Sequence, residues 1–125
     1  MKARTILSSL FFLLLTSTWP LMAQDSYMFK HLDTKNGLSN SQVNYIFKDS
    51  KGFMWFGTAS GLNRYDGYNY KIFRHKESIG HSITDNFVDL IQEDADGNLW
   101  IHTGVGYVFF EKKKEVFVNN LAEIM

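Results

Sequence analysis

The most suggestive residues for chemistry form a short acidic run near the end of the chain. Asp94, Asp96 and Asn98 alternate along the run Asp94-Ala95-Asp96-Gly97-Asn98. Oxygen-bearing side chains at alternating positions of a loop suit Ca²⁺. The EF-hand pattern also needs a glutamate at about the twelfth position, and Val105 stands there. A hairpin turn explains the same residues more simply, so we predict no metal site.

Other groups that could catalyse a reaction show no recognisable pattern. The histidines and the serines considered as nucleophiles are His31, His75, His81, His102, Ser39, Ser41 and Ser60. No two histidines have the i, i+4 spacing of a metal-binding pair, and no serine stands in a nucleophile elbow. The two carboxylates of a glycosidase are close in space and not in sequence, so the sequence leaves that chemistry open. We predict neither catalytic residues nor a cofactor.

Aromatic side chains are abundant and could stack on sugars. Phe, Trp and Tyr make up 16% of the residues. Most of them stand in segments that resemble β-strands, where packing in the core explains them. Trp55 and Trp100 occupy matching positions of a repeat, which favours a structural role for both. The sequence therefore does not identify the residues that contact a ligand.

Composition excludes several classes of function. The chain has 125 residues, no cysteine and a formal net charge of +0. It can form no disulfide and no thiolate metal site, and it has no basic face for nucleic acid. The run of lysines at 112–114 lies between two strand-like segments and is most simply a solvated hairpin tip.

The N-terminus has the pattern of a secretory signal peptide. Lys2 and Arg4 precede the apolar run 6–15, and 21–23 ends in the small residue Ala23. A membrane span needs about 20 apolar residues, and this run is shorter. We predict a signal peptide over 1–23, helical at 4–18, with cleavage between Ala23 and Gln24. The mature chain would have 102 residues (125 − 23).

An internal repeat organises the rest of the chain. Residues 49–58 and 94–103 align without a gap at a step of 45 (94 − 49). Within these segments the identical pairs are Asp49/Asp94, Gly52/Gly97, Trp55/Trp100 and Thr58/Thr103, and outside them Val43/Val88, Ile46/Ile91 and Gly61/Gly106 also match. A period of about 40–50 residues is typical of propellers and solenoids.

Each repeat has the pattern of a four-stranded antiparallel sheet. Residues 43–48 are rich in β-branched and aromatic side chains, as strands are. Asp49 and Gly52 have the chemistry of a hairpin turn, with Gly52 supplying a positive φ. The apolar segment 53–56 follows as the next strand, and further turns are expected at 59–61 and 66–67. Strands are expected at 27–32, 43–48, 53–57, 62–66, 70–74, 88–93, 98–102, 106–111 and 115–118.

These residues resemble a known repeat. The pattern Val43-x-x-Ile46-x-x-Asp49-x-x-Gly52-x-x-Trp55-x-Gly57-Thr58-x-x-Gly61-Leu62-x-x-Tyr65 resembles the two-component regulator propeller repeat, and the segment 36–39 resembles its usual lead-in. The second copy departs from the pattern at His102, where the family has Gly, and at Tyr107, where it has Leu. These departures leave the turn after Trp100 open.

The resemblance implies a role and a domain organisation. Such repeats build the periplasmic sensor of membrane histidine kinases, many of them hybrid regulators of glycan use. We therefore expect an all-β fold of two blades of an incomplete β-propeller, after the signal peptide. The expected segments are 24–42 as a lead-in with an unpaired N-terminal strand, 43–82 as the first blade and 83–125 as the second.

The resemblance also implies partners, because closed propellers have at least about four blades. The partners would be the remaining blades and a kinase portion, with a glycan as ligand and with the membrane reached only through a downstream span. Kinase activity would lie outside this chain. A secreted propeller enzyme, a lyase or hydrolase of polysaccharide, is the alternative.

Overall fold

The computed structural model describes residues 25–125. The predicted signal peptide, its helix and the cleavage site between Ala23 and Gln24 lie outside the described residues. Residues 25–30 are exposed and have no regular secondary structure, and His31–Met125 forms a compact unit. No helix within residues 25–125 has the length and apolar character needed to cross a membrane.

Residues 43–118 contain two antiparallel sheets of four strands each, in which neighbours in sequence are neighbours in the sheet. Blade 1 consists of β1 (Val43–Lys48), β2 (Met54–Thr58), β3 (Gly61–Tyr65) and β4 (Tyr70–Phe73). Blade 2 consists of β5 (Val88–Glu93), β6 (Leu99–Thr103), β7 (Gly106–Glu111) and β8 (Val116–Val118). Short 3-10 helices span Thr34–Asn36 and Leu121–Glu123. The predicted all-β fold with two four-stranded blades is confirmed.

The structure corrects one predicted element, the strand at residues 27–32. These residues have no strand conformation in the structure. A β-strand exists through hydrogen bonds to a neighbouring strand, and the sheets described here include no partner for this segment. The prediction of a strand at 27–32 is therefore wrong for this structure.

The turns explain why the repeat has glycine and aspartate at fixed positions. Gly52 has φ 89° and Gly97 has φ 81°, a region that glycine enters at little cost. The Gly52 N–H donates to the Asp49 carbonyl oxygen at 3.0 Å, and the Gly97 N–H donates to the Asp94 carbonyl oxygen at 3.1 Å. Both glycines thus have the positive φ that the sequence predicts, in hairpins that begin at the two aspartates.

The two blades have the same register despite the departures in the second copy. Gly57 pairs with Leu62 in blade 1, and His102 pairs with Tyr107 in blade 2. Each blade also has one register shift at the start of its first strand, between Val43 and Tyr45 or between Val88 and Leu90. The turn after Trp100 therefore follows the same path as the turn after Trp55.

The main hydrophobic core lies between the blades. Its buried members are Trp55, Leu62, Ile83, Val88, Ile91, Leu99, Ile101, Val108, Phe110 and Phe117. The Trp55 ring stacks on Phe73 with a centroid distance of 6.0 Å and meets the edge of Phe110 at 5.7 Å. Burial of a large apolar side chain contributes about 1.5–3 kcal/mol. This inter-blade interface is therefore the main source of apolar stabilisation in the unit.

A smaller cluster covers the opposite face of blade 1. Leu38, Phe56 and Tyr65 are buried there, and Leu32, Val43, Met54 and Tyr70 pack against them. The lead-in thus contributes apolar side chains to blade 1, although it forms no strand.

Candidate functional site

Asp49 is the polar centre of the inter-blade interface. Its buried carboxylate accepts hydrogen bonds from the indole N–H of Trp55 at 2.8 Å and from the backbone N–H groups of Lys51 and Phe53, each at 3.0 Å. The ammonium group of Lys112, from the turn between β7 and β8, lies 3.2 Å from the same carboxylate. One side chain of blade 1 therefore joins its own turn, its own tryptophan and the neighbouring blade.

Lys112 is not the solvated residue that its position in a lysine run suggests. Its side chain is 11% exposed, and its ammonium group also lies 3.0 Å from the Glu93 carboxylate. Glu93 in turn accepts hydrogen bonds from the backbone N–H of Ser50, at 2.8 Å, and from the Ser50 hydroxyl. The prediction of a solvated tip is therefore wrong for Lys112, because two carboxylates at the interface attract its charge.

A second ionic group closes the outer part of the interface. Glu115 of blade 2 accepts from Arg64 at 2.6 Å and also from Lys71, both of blade 1. The Arg64 guanidinium lies 5.1 Å from the ring centroid of Phe53 and 5.7 Å from that of Trp55, within the range of a cation–π contact. Arg64 therefore joins the two blades at this edge both by its ion pair with Glu115 and by its contacts with the aromatic rings.

The acidic groups of the interface have lowered pKa values. Burial acts to raise the pKa of Asp49, but the hydrogen bonds from Trp55 and Lys112 outweigh it and hold the pKa below its usual value. For Glu93, burial likewise acts upward, and the bonds from Ser50 and Lys112 bring the pKa below its usual value. Hydrogen bonds from Lys71 and Arg64 lower the pKa of Glu115. The three carboxylates are therefore charged at neutral pH.

The threonines and last glycines of the repeat close the turn between the second and third strands. The Thr58 hydroxyl donates to the Gly61 carbonyl oxygen at 2.9 Å, and the Thr103 hydroxyl donates to the Gly106 carbonyl oxygen at 2.8 Å. Gly61 and Gly106 have φ values of 128° and 117°. All five pairs of repeat-defining residues therefore lie in turns or strands of the blade.

Trp100 differs from Trp55 in its surroundings. Its ring meets the edge of Phe109 with a centroid distance of 5.2 Å. Asp94 accepts instead from the backbone N–H groups of Asp96 and Asn98, and within residues 25–125 the structure shows no bond from the Trp100 indole to Asp94. Trp100 is half-buried, whereas Trp55 is completely buried. The difference arises because blade 2 covers Trp55, whereas nothing described here covers Trp100.

Two open faces flank the pair of blades. The first open face lies on blade 1 beside the Leu38 cluster and includes Val43, Ile46 and Met54. The second lies on blade 2 and includes Leu90, Trp100, His102 and Tyr107. Ile46 is 57% exposed, whereas its repeat partner Ile91 is 0% exposed. Tyr107 is 47% exposed, whereas Leu62 is 0% exposed. The first open face of blade 1 therefore corresponds to the face of blade 2 that is buried at the inter-blade interface. The second open face of blade 2 corresponds to the buried face of blade 1.

Several of the other residues that suggested chemistry have structural partners. The Asp94 turn uses its carboxylate for backbone hydrogen bonds, as a hairpin requires, and His75 Nδ1 lies 2.8 Å from the Ile83 carbonyl oxygen. The Ser39 hydroxyl lies 2.9 Å from that of Thr58. Within residues 25–125, no group of three or more His, Asp or Glu side chains is placed to hold a metal ion.

A cleft lies at the end of the interface where the hairpin turns meet. It has a volume of about 520 Å³ and is lined by Ser50, Lys51, Ala95, Asp96, Gly97, Asn98, Lys112 and Lys113. This lining contains polar groups of both charges but no aromatic ring, so it offers no platform on which a sugar could stack. The cleft does not by itself identify a ligand.

Comparison with known proteins assigns the repeats. The family model described as "Two component regulator propeller" matches residues 37–60 and 82–104. The chain carries two two-component regulator propeller repeats. Each matched segment runs from the lead-in through the first hairpin of a blade, which is the part that contains the Asp–Gly turn and the tryptophan.

Relatives of these propeller repeats are much longer proteins. Histidine kinase P4 of Formosa agariphila is 42% identical over 65 residues, which is 51% of this chain and 5% of that protein. The extracellular domain of a protein described as a hybrid two-component system of B. thetaiotaomicron has a TM-score of 0.65 and 31% identity, over 71% of this chain and 13% of its own. A corresponding domain described as part of a one-component system has a TM-score of 0.53 and 29% identity, over 62% and 11%.

The interface residues outside the repeat pattern could not be found from the sequence. Lys112, Arg64 and Glu115 come from segments where the two copies differ, and their pairing depends on how one blade sits on the other. The only signal was the place of Lys112 in the lysine run 112–114, and that run predicted a solvated hairpin tip.

Proposed function

We propose that this chain forms part of the extracellular, ligand-sensing propeller of a two-component sensor. The observation that carries the proposal is the pair of repeat blades with an open face at each end. It is supported by 31% identity to an extracellular domain of a hybrid two-component system over 71% of the chain. Remaining blades of the same repeat would cover the open faces, and a kinase portion would receive the signal.

The proposal includes export and a carbohydrate ligand. The signal peptide over 1–23 would place the blades in the periplasm, where a sensor meets external ligands. We propose glycan fragments as the ligand class, because the repeat pattern resembles that of regulators of glycan use. The chain alone would neither signal nor catalyse a reaction, since the sensor function requires the absent blades and the kinase.

A reporter assay on the intact sensor tests this function. The sensor would be expressed with a reporter of its output and exposed to a panel of polysaccharides and their oligosaccharide fragments. We expect one glycan class to activate the reporter and to bind the purified propeller in a calorimetric titration. A response confined to ligands of another class would contradict the glycan assignment, and the absence of kinase-dependent output would contradict the sensor itself.

Gly57→Leu tests whether ligand sensing depends on the packing of the two blades. A Cβ atom at Gly57 would lie 2.7 Å from Val88 Cγ1, so leucine must separate the blades. We expect this variant to lose the ligand response although the sensor still reaches the membrane. Gly80→Ala is the control, because nothing lies within 4 Å of its added Cβ, and it should respond normally.

A further inference from the structure

Gly57 lies on β2 where the first strand of blade 2 comes close to the backbone of blade 1. A Cβ atom there would lie 2.7 Å from Val88 Cγ1 and 3.0 Å from the Val88 carbonyl oxygen. Real Cβ atoms do not come so close to a neighbour in a packed interior. The first strand of blade 2 can therefore reach blade 1 only because position 57 has no side chain.

Blade 2 has a histidine at the same place on the second open face. His102 occupies the register position of Gly57, opposite Tyr107 as Gly57 is opposite Leu62. Its ring meets the edge of the Tyr107 ring with a centroid distance of 4.8 Å, and its Nδ1 lies 2.6 Å from the Asp89 carboxylate. Tyr107 and Asp89 thus hold the histidine on this face. Its side chain fills the space equivalent to the one that Val88 occupies beside Gly57.

The polar contact across the interface also changes between the copies. In blade 1, the Asn44 side chain donates to the Val88 carbonyl oxygen at 3.0 Å. Its counterpart in blade 2 is Asp89, whose carboxylate has no amide N–H to donate and already faces His102. Blade 2 packs on blade 1 at the gap beside Gly57 and accepts a hydrogen bond from the Asn44 amide. A blade that packs on the second open face finds neither the gap nor the amide donor there.

We propose that His102 determines which blade can pack on the second open face. The occupant is a further repeat blade of the same sensor that departs from the repeat pattern, with glycine or alanine at the position that Val43 and Val88 occupy in blades 1 and 2. A strand with valine at that position is excluded, and a second copy of this chain belongs to that excluded class because it has Val43 there. This inference rests on the proposed function, in which more blades follow. The matching surface between blades 1 and 2 and the much greater length of the relatives favour this occupant.

The test measures head-to-tail association of the full chain, in which the second open face of one copy meets the first open face of another. His102→Gly recreates the gap at Gly57, and Val43→Ala removes the atom that corresponds to Val88 Cγ1. We expect each substitution to strengthen association at least about tenfold in sedimentation experiments, whereas His102→Phe should associate like the unchanged chain. Equal association of the unchanged chain and the two small-residue variants would overturn the proposal.

Ile46→Lys shows whether the added association uses the intended surfaces. Ile46 is exposed on the first open face, so a charge there should remove the gain produced by His102→Gly. A gain that persists in the double variant would place the contact elsewhere and would also overturn the proposal. Val43→Ala changes the opposite surface, so misfolding of one small-residue variant leaves the other decisive. The assay contains no kinase or ligand, so its result is independent of the sensor's response to glycans.

Discussion

The Asp49 carboxylate stabilises its own turn, the core of its blade and the contact with the other blade. It completes the hairpin turn through backbone N–H groups, fixes the Trp55 indole and faces Lys112 of the other blade. A buried carboxylate without such partners is costly. The aspartate at the start of the repeat therefore depends on the tryptophan and on the neighbouring blade for its stability.

The first prediction concerns Gly52. Gly52→Val should lower the free energy of unfolding by more than about 1 kcal/mol, because valine is strained at a positive φ. Nothing lies within 4 Å of an added Cβ, so the cost is conformational and not a clash. Gly97→Val should have the same effect for the same reason. Denaturant unfolding measures both changes.

Gly52→Asn is the matched control, since asparagine tolerates a left-handed backbone. It should cost clearly less than valine. A valine variant as stable as the asparagine variant would contradict the turn described here.

The second prediction concerns pH. The pKa values of Asp49, Glu93 and Glu115 are lowered in the folded chain, so the unfolded chain binds protons more readily. Their contribution to stability is complete above the unfolded pKa values, about 3.9 for Asp and 4.3 for Glu. It decreases as the pH falls through the lower folded values. Unfolding free energies measured between about pH 6 and 3 should therefore fall with pH.

Glu115→Gln should reduce that dependence, because it removes one of the carboxylates. Glu77→Gln, at an exposed position outside the interface, should leave the dependence unchanged. Identical pH profiles for the two variants would exclude Glu115 from the linkage.

At the scale of the strand, β2 and β6 are matching elements in different environments. Trp55 on β2 is covered by blade 2 and bonded to Asp49, whereas Trp100 on β6 lies on the second open face. The same residue in the same register therefore contributes differently to stability according to what packs against it.

The third prediction compares the two tryptophans. Trp55→Phe should cost about 1–3 kcal/mol, because it removes buried volume and leaves the Asp49 carboxylate without the indole N–H. Trp100→Phe should cost less than about 1 kcal/mol in this chain. Thermal and denaturant melts of the two variants measure the difference. Equal costs would show that the open face of blade 2 is covered in solution.

The strands were predictable because their signals are local. The β-branched and aromatic residues of 43–48 predict a strand, and the turn-forming Asp49 and Gly52 that follow predict a hairpin with a positive φ at the glycine. The strand at 27–32 was not predictable in the same way, since its formation depends on a partner outside the segment. The role of Lys112 was not predictable either, because its ammonium group lies near the Asp49 carboxylate only once the two blades have packed together.

At the scale of the molecule, residues 25–125 contain two blades and two open faces. The fourth prediction is that residues 24–125, expressed alone, are not a stable monomer and show neither signalling nor catalytic activity. Exposed apolar sheet faces and edges favour association or aggregation. Size-exclusion chromatography with a thermal melt tests this expectation. A monodisperse monomer with a sharp cooperative transition would show that two blades suffice.

The ionic contacts across the inter-blade interface also constrain the order of folding events. Asp49 and Lys112 are separated by 63 positions, and Arg64 and Glu115 by 51, whereas each hairpin closes over a few residues. Contacts between distant parts of a chain form slowly, because closing the intervening loop costs entropy. The hairpins of both blades should therefore form before the ionic contacts between the blades. Lys112→Met should then accelerate unfolding while leaving the folding rate almost unchanged, and stopped-flow tryptophan fluorescence can measure both rates. A decrease in the folding rate as large as the increase in the unfolding rate would show that the Lys112 contact forms early in folding.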